Sequence, residues 1–254
     1  MTSISAVLPA FNEEEVIGAT VASVVSTLEL LCPDYEVIVV NDGSRDRTAE
    51  VVAELSAENP RVRCVSHAVN RGYGAALATG FTAATKELLF LTDGDKQFDV
   101  RELRDFLPLI EEADLVIGYR SPRSDPLLRR VYGWGWNSLV RLLFGYTARD
   151  VDCAFKLFRR SVWTRSRIHS TGATFSAEFL IKARRRGFRI RELRASHYPR
   201  PAGKPTGARV DVIARAFREL LRLRLNLERE LRDDDLARLA EQSPAPAAAR
   251  HVES

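Results

Sequence analysis

The residues best placed to do chemistry lie in the stretch LLFLTDGDKQFD, positions 88–99. Four apolar residues run into Asp93, Asp95 and Asp99, with Gln97 between the last two. Asp93 and Asp95 stand at i and i+2 just past the apolar run, so a bent loop can turn both carboxylates toward one point. Hard divalent cations such as Mg²⁺ or Mn²⁺ take oxygen ligands and keep positions open for phosphate oxygens, and Gln97 can add a carbonyl oxygen. A glycine-containing turn with solvated acids has the same spacing, so the pair by itself leaves both readings open. Two other polar clusters follow apolar runs. In VVNDGSRDRT, the Asp42 carboxylate can accept from a nucleobase N–H or a ribose hydroxyl, or merely cap a helix. In PAFNE, Pro9 fixes the backbone, Phe11 offers a ring and Glu13 an acceptor.

The elements that must position these residues can be read from the hydrophobic pattern. Apolar runs at 4–8, 35–40, 61–66, 87–91 and 114–118 read as strands. Between them lie helical patterns: one opening at NEEEV with Asn12 as N-cap, one at 47–57, one starting at NRGYG and one at 101–111. Continuous apolar strands alternating with helices predict an α/β fold, a mostly parallel central sheet with helices on both faces. Ligands in such sheets bind beyond the carboxyl ends of the strands, where PAFNE, NDGS and TDGD all fall. After residue 119 the pattern changes. RSPRSDPLLRR reads as a loop, 131–145 as an aromatic-rich helix, DVDCAFKLF as a loop entering a strand, 174–186 as a helix and 188–193 as a strand. Residues 1–207 form the expected catalytic domain, with a nucleotide-binding half (1–118) and an acceptor-binding half (119–207). An amphipathic helical region (208–240) and a disordered tail (241–254) complete the chain.

Composition narrows the classes. At 254 residues and 45% hydrophobic content the chain can bury a real core, and its net charge of +4 points to an anionic partner. Cys32, Cys64 and Cys153 are far apart and odd in number, which gives neither a disulfide framework nor a zinc site. The four histidines are dispersed. No basic leader precedes an apolar segment at the start, and no stretch approaches the ~20 apolar residues of a membrane span, so a cytoplasmic chain that can still touch the inner face of a membrane is expected. A dinucleotide dehydrogenase would need G-x-G-x-x-G where PAFNEE stands. An Asp-nucleophile phosphatase would carry its D-x-D after the first strand, not the fourth. The arginine-rich region 184–232 lacks interleaved aromatics, which argues against nucleic acid.

Taken in order, LPAFNEEEVI, VIVVNDGSRDRTAEVV, NRGYGAALATGF and LLFLTDGDKQFD resemble the signature segments of family-two glycosyltransferases with the glycosyltransferase-A (nucleotide-diphospho-sugar transferase) fold, over about residues 4–205. Within these the chain is most similar to the polyprenyl-phosphate, or dolichol-phosphate, mannosyltransferase and glucosyltransferase branch. The resemblance implies a nucleotide-sugar donor such as GDP-mannose or UDP-glucose, a divalent metal, Mg²⁺ or Mn²⁺, and inversion at the anomeric carbon. It implies that Pro9, Phe11, Glu13, Val40 and Asp42 line the nucleotide pocket. Asp93 and Asp95 would handle metal and diphosphate, and Gln97 the metal. Arg120 in VIGYRSPR matches the family's arginine facing the acceptor phosphate, and Arg129 or Arg130 a second one. DVDCAFKLFRR resembles the family's Asp-x-x-Ser-Gly-Phe-Arg segment, with Asp150 on its Asp and Lys156 on its basic residue; Cys153 and Ala154 replace Ser and Gly. Glu178 matches a Glu on the helix before the last strand. Arg200 in HYPRPAGKPTG matches the arginine before a flexible loop whose lysine is replaced, in another register, by Lys204.

The chemistry agrees with this assignment. A sugar leaves a diphosphate only if the charge developing on the leaving group is neutralised, which a metal at Asp95 with help from Arg200 or Lys204 does. A lipid phosphate acceptor is already an anion and needs only arginines to align it. A hydroxyl acceptor needs a base, for which Asp150 or Asp152 is the candidate. In the helix expected at 209–231, Val210, Ile213, Ala214, Phe217, Leu220 and Leu221 share one side. Packing on the domain or pairing in a homodimer is the first expectation for that helix, and lying on a membrane the second. Trp134 and Trp136 could sit at a lipid interface, with buried helix packing as the first expectation.

Overall fold

The computed structural model describes residues 2–201 and 210–242. Lys204 and the expected tail beyond residue 242 lie outside the described residues. Strands and helices alternate through β1 (Ser3–Ala10), α1 (Ile17–Leu31), β2 (Asp34–Asn41), α2 (Thr48–Glu58), β3 (Val62–Ser66), α3 (Tyr73–Ala83) and β4 (Leu88–Leu91). A broken helical segment around α4 (Leu103–Phe106) leads to β5 (Leu115–Arg120). Then come α5 (Leu127–Phe144), β6 (Lys156–Arg159), α6 (Arg160–Ser166), α7 (Phe175–Arg185), β7 (Ile190–Ala195) and α8 (Val210–Gln242).

The seven strands make one sheet in the order β3-β2-β1-β4-β6-β5-β7. Four neighbouring pairs are parallel, and β6 alone runs antiparallel, between β4 and β5. The strand order reverses at β1 and β4, which creates the crevice where α/β sheets bind ligands.

The apolar runs are continuous because both faces of the sheet are covered. Along β1, Ile4, Ala6 and Leu8 face α1 and α2 while Val7 faces the other side, and β2 and β4 split the same way. On that other side α3 lies very close to the sheet. A Cβ on Gly80 would come within 2.3 Å of Val7 Cγ1, so a side chain there would lift α3 off the strands. Phe155, fully buried, meets Phe90 and Phe106 edge-on at 4.9 and 4.8 Å. Burying one such ring stabilises by about 2–3 kcal/mol, and here it anchors the segment 150–155 just ahead of β6.

Several local expectations need correction. Asn12 does not cap α1. Its backbone is left-handed (φ 56°), its side-chain oxygen accepts from Arg45 N, and the helix opens only at Ile17. The helix expected at 101–111 is interrupted: Pro108, which has no amide proton, stops α4 at Phe106 and starts a separate 3-10 turn. Helix α5 begins earlier than 131, helix α6 went unanticipated, and α8 runs on to Gln242. On α8 the buried stripe is Ala216, Leu220, Leu223 and Leu227, packed against the domain, whereas Phe217 and Leu221 are exposed. Trp134, expected inside, is also exposed.

Candidate active site

Two loops at the carboxyl ends of β1 and β2 are stitched together by reciprocal hydrogen bonds. Asn12 N donates to Ser44 Oγ at 3.0 Å, Glu13 N to Thr48 Oγ1 at 2.8 Å and Glu14 N to Asp46 Oδ2 at 3.1 Å, while Arg47 N donates to Glu14 Oε2 at 2.9 Å. Gly43 makes the turn possible. Its φ is +68°, and a Cβ there would fall 2.4 Å from the carbonyl carbon of Val69. The turn directs Asp42 toward the start of α3, where its carboxylate accepts from Arg71 N, Gly72 N and His67 Nδ1 at 2.9, 2.8 and 2.6 Å. Asp42, itself buried, therefore ties the β2 turn to the start of α3, and in the neighbouring β1 loop Pro9 is buried and Phe11 half-buried.

Past β4 the carboxylates crowd. Asp93 accepts from Tyr73 Oη at 3.0 Å, and Asp95 from Gln97 N at 3.1 Å. Burial, together with the charge of Asp95, pushes the Asp93 carboxyl up to about 7. Burial also raises Asp95. Glu13, from the β1 loop, is raised by burial despite its ion pair with Arg200, and its Oε2 is buried with no hydrogen-bond partner among the described residues. Arg200 reaches Asp95 as well, at 3.6 Å. The arginine is held there because segment 197–200 runs along the loop after β4: Tyr198 N donates to Gln97 O, and Gln97 Nε2 to Tyr198 O. The Gln97 side-chain oxygen is thereby left as an acceptor. Three carboxylates from two loops, two of them a like-charged pair and one with an orphaned oxygen, are offset by one arginine. The Asp93 and Asp95 carboxylates with the Gln97 oxygen are a donor set that fits a hard divalent cation, while Glu13 stands apart in its ion pair with Arg200.

Across β6 the charge changes sign. Arg120, at the end of β5, grips Asp150 through two bonds of 2.7 Å and meets Asp125 at 3.6 Å. Asp125, just before α5, also pairs with Arg123 at 2.9 Å and Arg129 at 3.5 Å, so three guanidiniums gather around it. Burial works against ionised Asp150, but Arg120 outweighs it and holds the carboxyl below its usual range. Asp152 lies two residues on and reaches water. Partial enclosure by the protein and the charge of Asp150 push it up to about 6. Beneath them Lys156 is buried, its ammonium donating to the carbonyls of Val151 and Cys153.

The structure thus brings together Pro9, Phe11, Glu13, Asp42, Asp93, Asp95, Gln97 and Arg200 on one side, and Arg120, Arg129 and Asp150 on the other. Val40 contributes no side chain to the crevice, being fully buried against Gly80. Asp99 turns away to accept from Arg101 N at the next helical turn. Arg130 faces solvent on α5. Glu178 is a structural carboxylate, accepting from His169 N and Ser170 N and paired with Lys182 at 2.9 Å. Sequence reasoning missed Tyr73, Arg123 and Asp125. Asp125 left a signal: it is the single acid among positions 121–149, set among arginines.

The description Glycosyl transferase family 2 matches residues 5–165. Glycosyltransferase AglD of Haloferax volcanii is 34% identical over 207 residues, covering 78% of this chain and 33% of the relative. Dodecaprenyl-phosphate galacturonate synthase of Rhizobium johnstonii is 30% identical over 224 residues, covering 87% and 65%. Dolichyl-phosphate beta-glucosyltransferase ALG5C of Trichomonas vaginalis is 29% identical over 206 residues, covering 74% and 61%. The chain spans from a third to just under two thirds of the length of these relatives. Among solved structures, glucosyl-3-phosphoglycerate synthase from Mycobacterium tuberculosis, in complex with Mn²⁺, UDP and phosphoglyceric acid, superimposes with a TM-score of 0.65 at 21% identity. That alignment covers 89% of this chain and 78% of the other.

Proposed function

The chain belongs to glycosyl transferase family 2, and from that premise we propose that it transfers a hexose from UDP-glucose or GDP-mannose, with inversion, to a polyprenyl phosphate at a membrane surface. The observation that carries this reading is the pairing of two opposite sites on one sheet edge. An acid cluster suited to a cation and a diphosphate lies on one side of β6, and an arginine cluster suited to a phosphate on the other. The relatives named for dolichyl and dodecaprenyl phosphate support the acceptor class, and the Mn²⁺ and UDP in the solved neighbour support the donor class.

Asp93, Asp95 and the Gln97 oxygen would hold Mg²⁺ or Mn²⁺, which when bound neutralises the donor diphosphate and stabilises it as leaving group. Pro9, Phe11 and Asp42 shape the nucleotide crevice. Arg200, already pinned between Glu13 and Asp95, faces the diphosphate and adds a second positive charge, with Lys204 from the following segment as its partner. Arg120, oriented by Asp150, and Arg129 align the acceptor phosphate in line with the leaving group, with Arg130 at the outer edge. Lys156 ties down the backbone that carries Asp150. A phosphate monoester is its own nucleophile, so no group need remove a proton.

One observation favours a second reading. Asp152, pushed up to about 6 and open to water, is suited to serve as base for a hydroxyl acceptor, whereas Asp150 is committed to Arg120. A single assay separates the two: labelled UDP- and GDP-sugars with Mn²⁺ or Mg²⁺, with and without polyprenyl phosphate, partitioned into organic solvent. Metal-dependent label in the lipid phase that disappears in Asp95→Ala is the expected result. Label that enters only soluble product, with activity falling below about pH 6 in wild type, would replace the first reading by the second. No donor binding at all would sink both.

A further inference from the structure

We infer that the outward face of α5 is a docking surface for an anionic lipid bilayer, with Trp134 seated at the headgroup level. Helix α5 is apolar on two sides. One side, including Trp136, Leu139, Val140 and Leu143, packs into the core. The opposite side carries Leu127, Val131, Trp134 and Leu142, spaced by 4, 3 and 8 residues and so aligned on one face. These four are exposed by 74, 52, 73 and 81%. A row of large apolar side chains left in water along four turns of helix marks an interaction surface.

The charge around the row identifies the partner. From Pro126 to Arg149 there is no acidic residue and there are four arginines. Among the described residues Arg130 and Arg141 meet no carboxylate, and Arg141 rests on the Tyr146 ring at 5.1 Å. An exposed Trp and Leu row beside unpaired arginines, with no acid to be repelled, is the pattern of a helix that lies in an anionic interface. Exposed Phe217, Leu221 and Leu225 on α8 do not make the same case, because Glu228 shares their face. The α5 face is also continuous with the arginine cluster. A groove of about 380 Å³ lined by Arg123, Leu127, Arg130, Val131, Trp134 and Arg149 opens beside it, and Arg123 shares Asp125 with Arg120. Docking on this face therefore sets the arginines at the bilayer surface. Among the described residues no helix is long and apolar enough to cross a membrane.

The test uses the full chain with vesicles of phosphatidylglycerol and phosphatidylcholine, against vesicles of phosphatidylcholine alone, read by flotation and by quenching of tryptophan emission with brominated lipid. Wild type is expected to float only with the anionic vesicles, less so at high salt, and to be quenched. Trp134→Glu and Leu127→Glu, both on exposed positions, are expected to lower vesicle affinity at least tenfold while binding of a nucleotide-sugar in free solution stays unchanged. Trp134→Phe keeps flotation and loses most of the quenching. Wild type that stays in the supernatant, or glutamate variants that float like wild type, would overturn the proposal. So would a wild-type dimer, seen by light scattering, that Trp134→Glu converts to monomer, since the face would then belong to a second copy. Sugar transfer need not occur for any of these readings, so the surface can fail while the transferase reading stands, and the reverse.

Discussion

The two ends of the central sheet each bury acidic side chains, and they treat them in opposite ways. At the amino ends of the strands, Glu36 accepts from Ser5 Oγ, Thr85 N and Thr85 Oγ1 at 2.6, 2.7 and 2.8 Å, and from Arg63 at 2.9 Å. Burial works against its charge, but these donors win and its carboxyl is held below the ordinary range. At the carboxyl ends, Glu13, Asp93 and Asp95 have fewer donors than oxygens, repel one another, and are all raised. Both sites use the same residue types at comparable depth. What separates them is whether the protein supplies the positive partners itself. One end is complete and stabilises the fold; the other is incomplete among the described residues, which is the arrangement the proposed cation would complete.

The largest effect should come from the incomplete end. Asp95→Ala is expected to lower kcat by about 10²–10³-fold in a sugar-transfer assay while leaving the melting temperature unchanged or raised, because a strained like-charged pair is relieved. A fall in stability matching the loss of activity would erase the distinction. Glu36→Ala should do the reverse. With Arg63, Ser5 and Thr85 left without their acceptor, unfolding in urea is expected to show a loss of about 3 kcal/mol, with kcat per folded molecule preserved. A third test lies between the two. Arg120→Lys keeps the charge but loses the forked grip on Asp150, and should raise KM for the acceptor about tenfold with little change in the donor KM.

The smallest effect is one of pH. The folded pKa of Asp152 is raised to about 6 from an unfolded value near 3.8. Between these values the folded state holds the extra proton, so stability rises as pH falls through the window and the cost of the ionised form is present above about 6. Screening at the open mouth of the cleft limits that cost to about 1 kcal/mol or less. Asp152→Asn should therefore stabilise at pH 7 and give no gain near pH 4. Glu36, with its pKa lowered, has the opposite sign: its contribution is full above its unfolded value near 4.5 and is lost as pH falls through the folded value. Urea titrations of Glu36→Gln and Asp152→Asn across pH 3–8 should diverge in those directions.

The strand-end motifs were legible because their chemistry is local. Pro9, the Asp42-Gly43 turn and the Asp93/Asp95 pair each follow an apolar run, and alternation with helices suffices to put them on one edge. What was not legible depends on contacts between distant positions. Tyr73 finds Asp93, and Arg120 finds Asp150, only when α3 and the segment before β6 are folded against the sheet. The Asn12 cap failed because Arg45, from another loop, took its side chain. On α8 the sequence offers apolar residues on more than one side, and only the packed neighbour decides that Leu223 and Leu227 turn inward while Leu221 does not.

The reversed strand β6 has one more consequence. Because it pairs with β4 on one side and β5 on the other, the strand that delivers Asp93 and Asp95 and the strand that ends in Arg120 are never neighbours. Adjacent strands lie about 4.8 Å apart, so β6 spaces the two by about 10 Å. Under the proposed function the sheet would act as a ruler, setting between the diphosphate side and the acceptor side a gap that a single pyranose ring can span. On that proposal, a change to β6 that tightened or widened the spacing would alter transfer without touching any side chain assigned to binding.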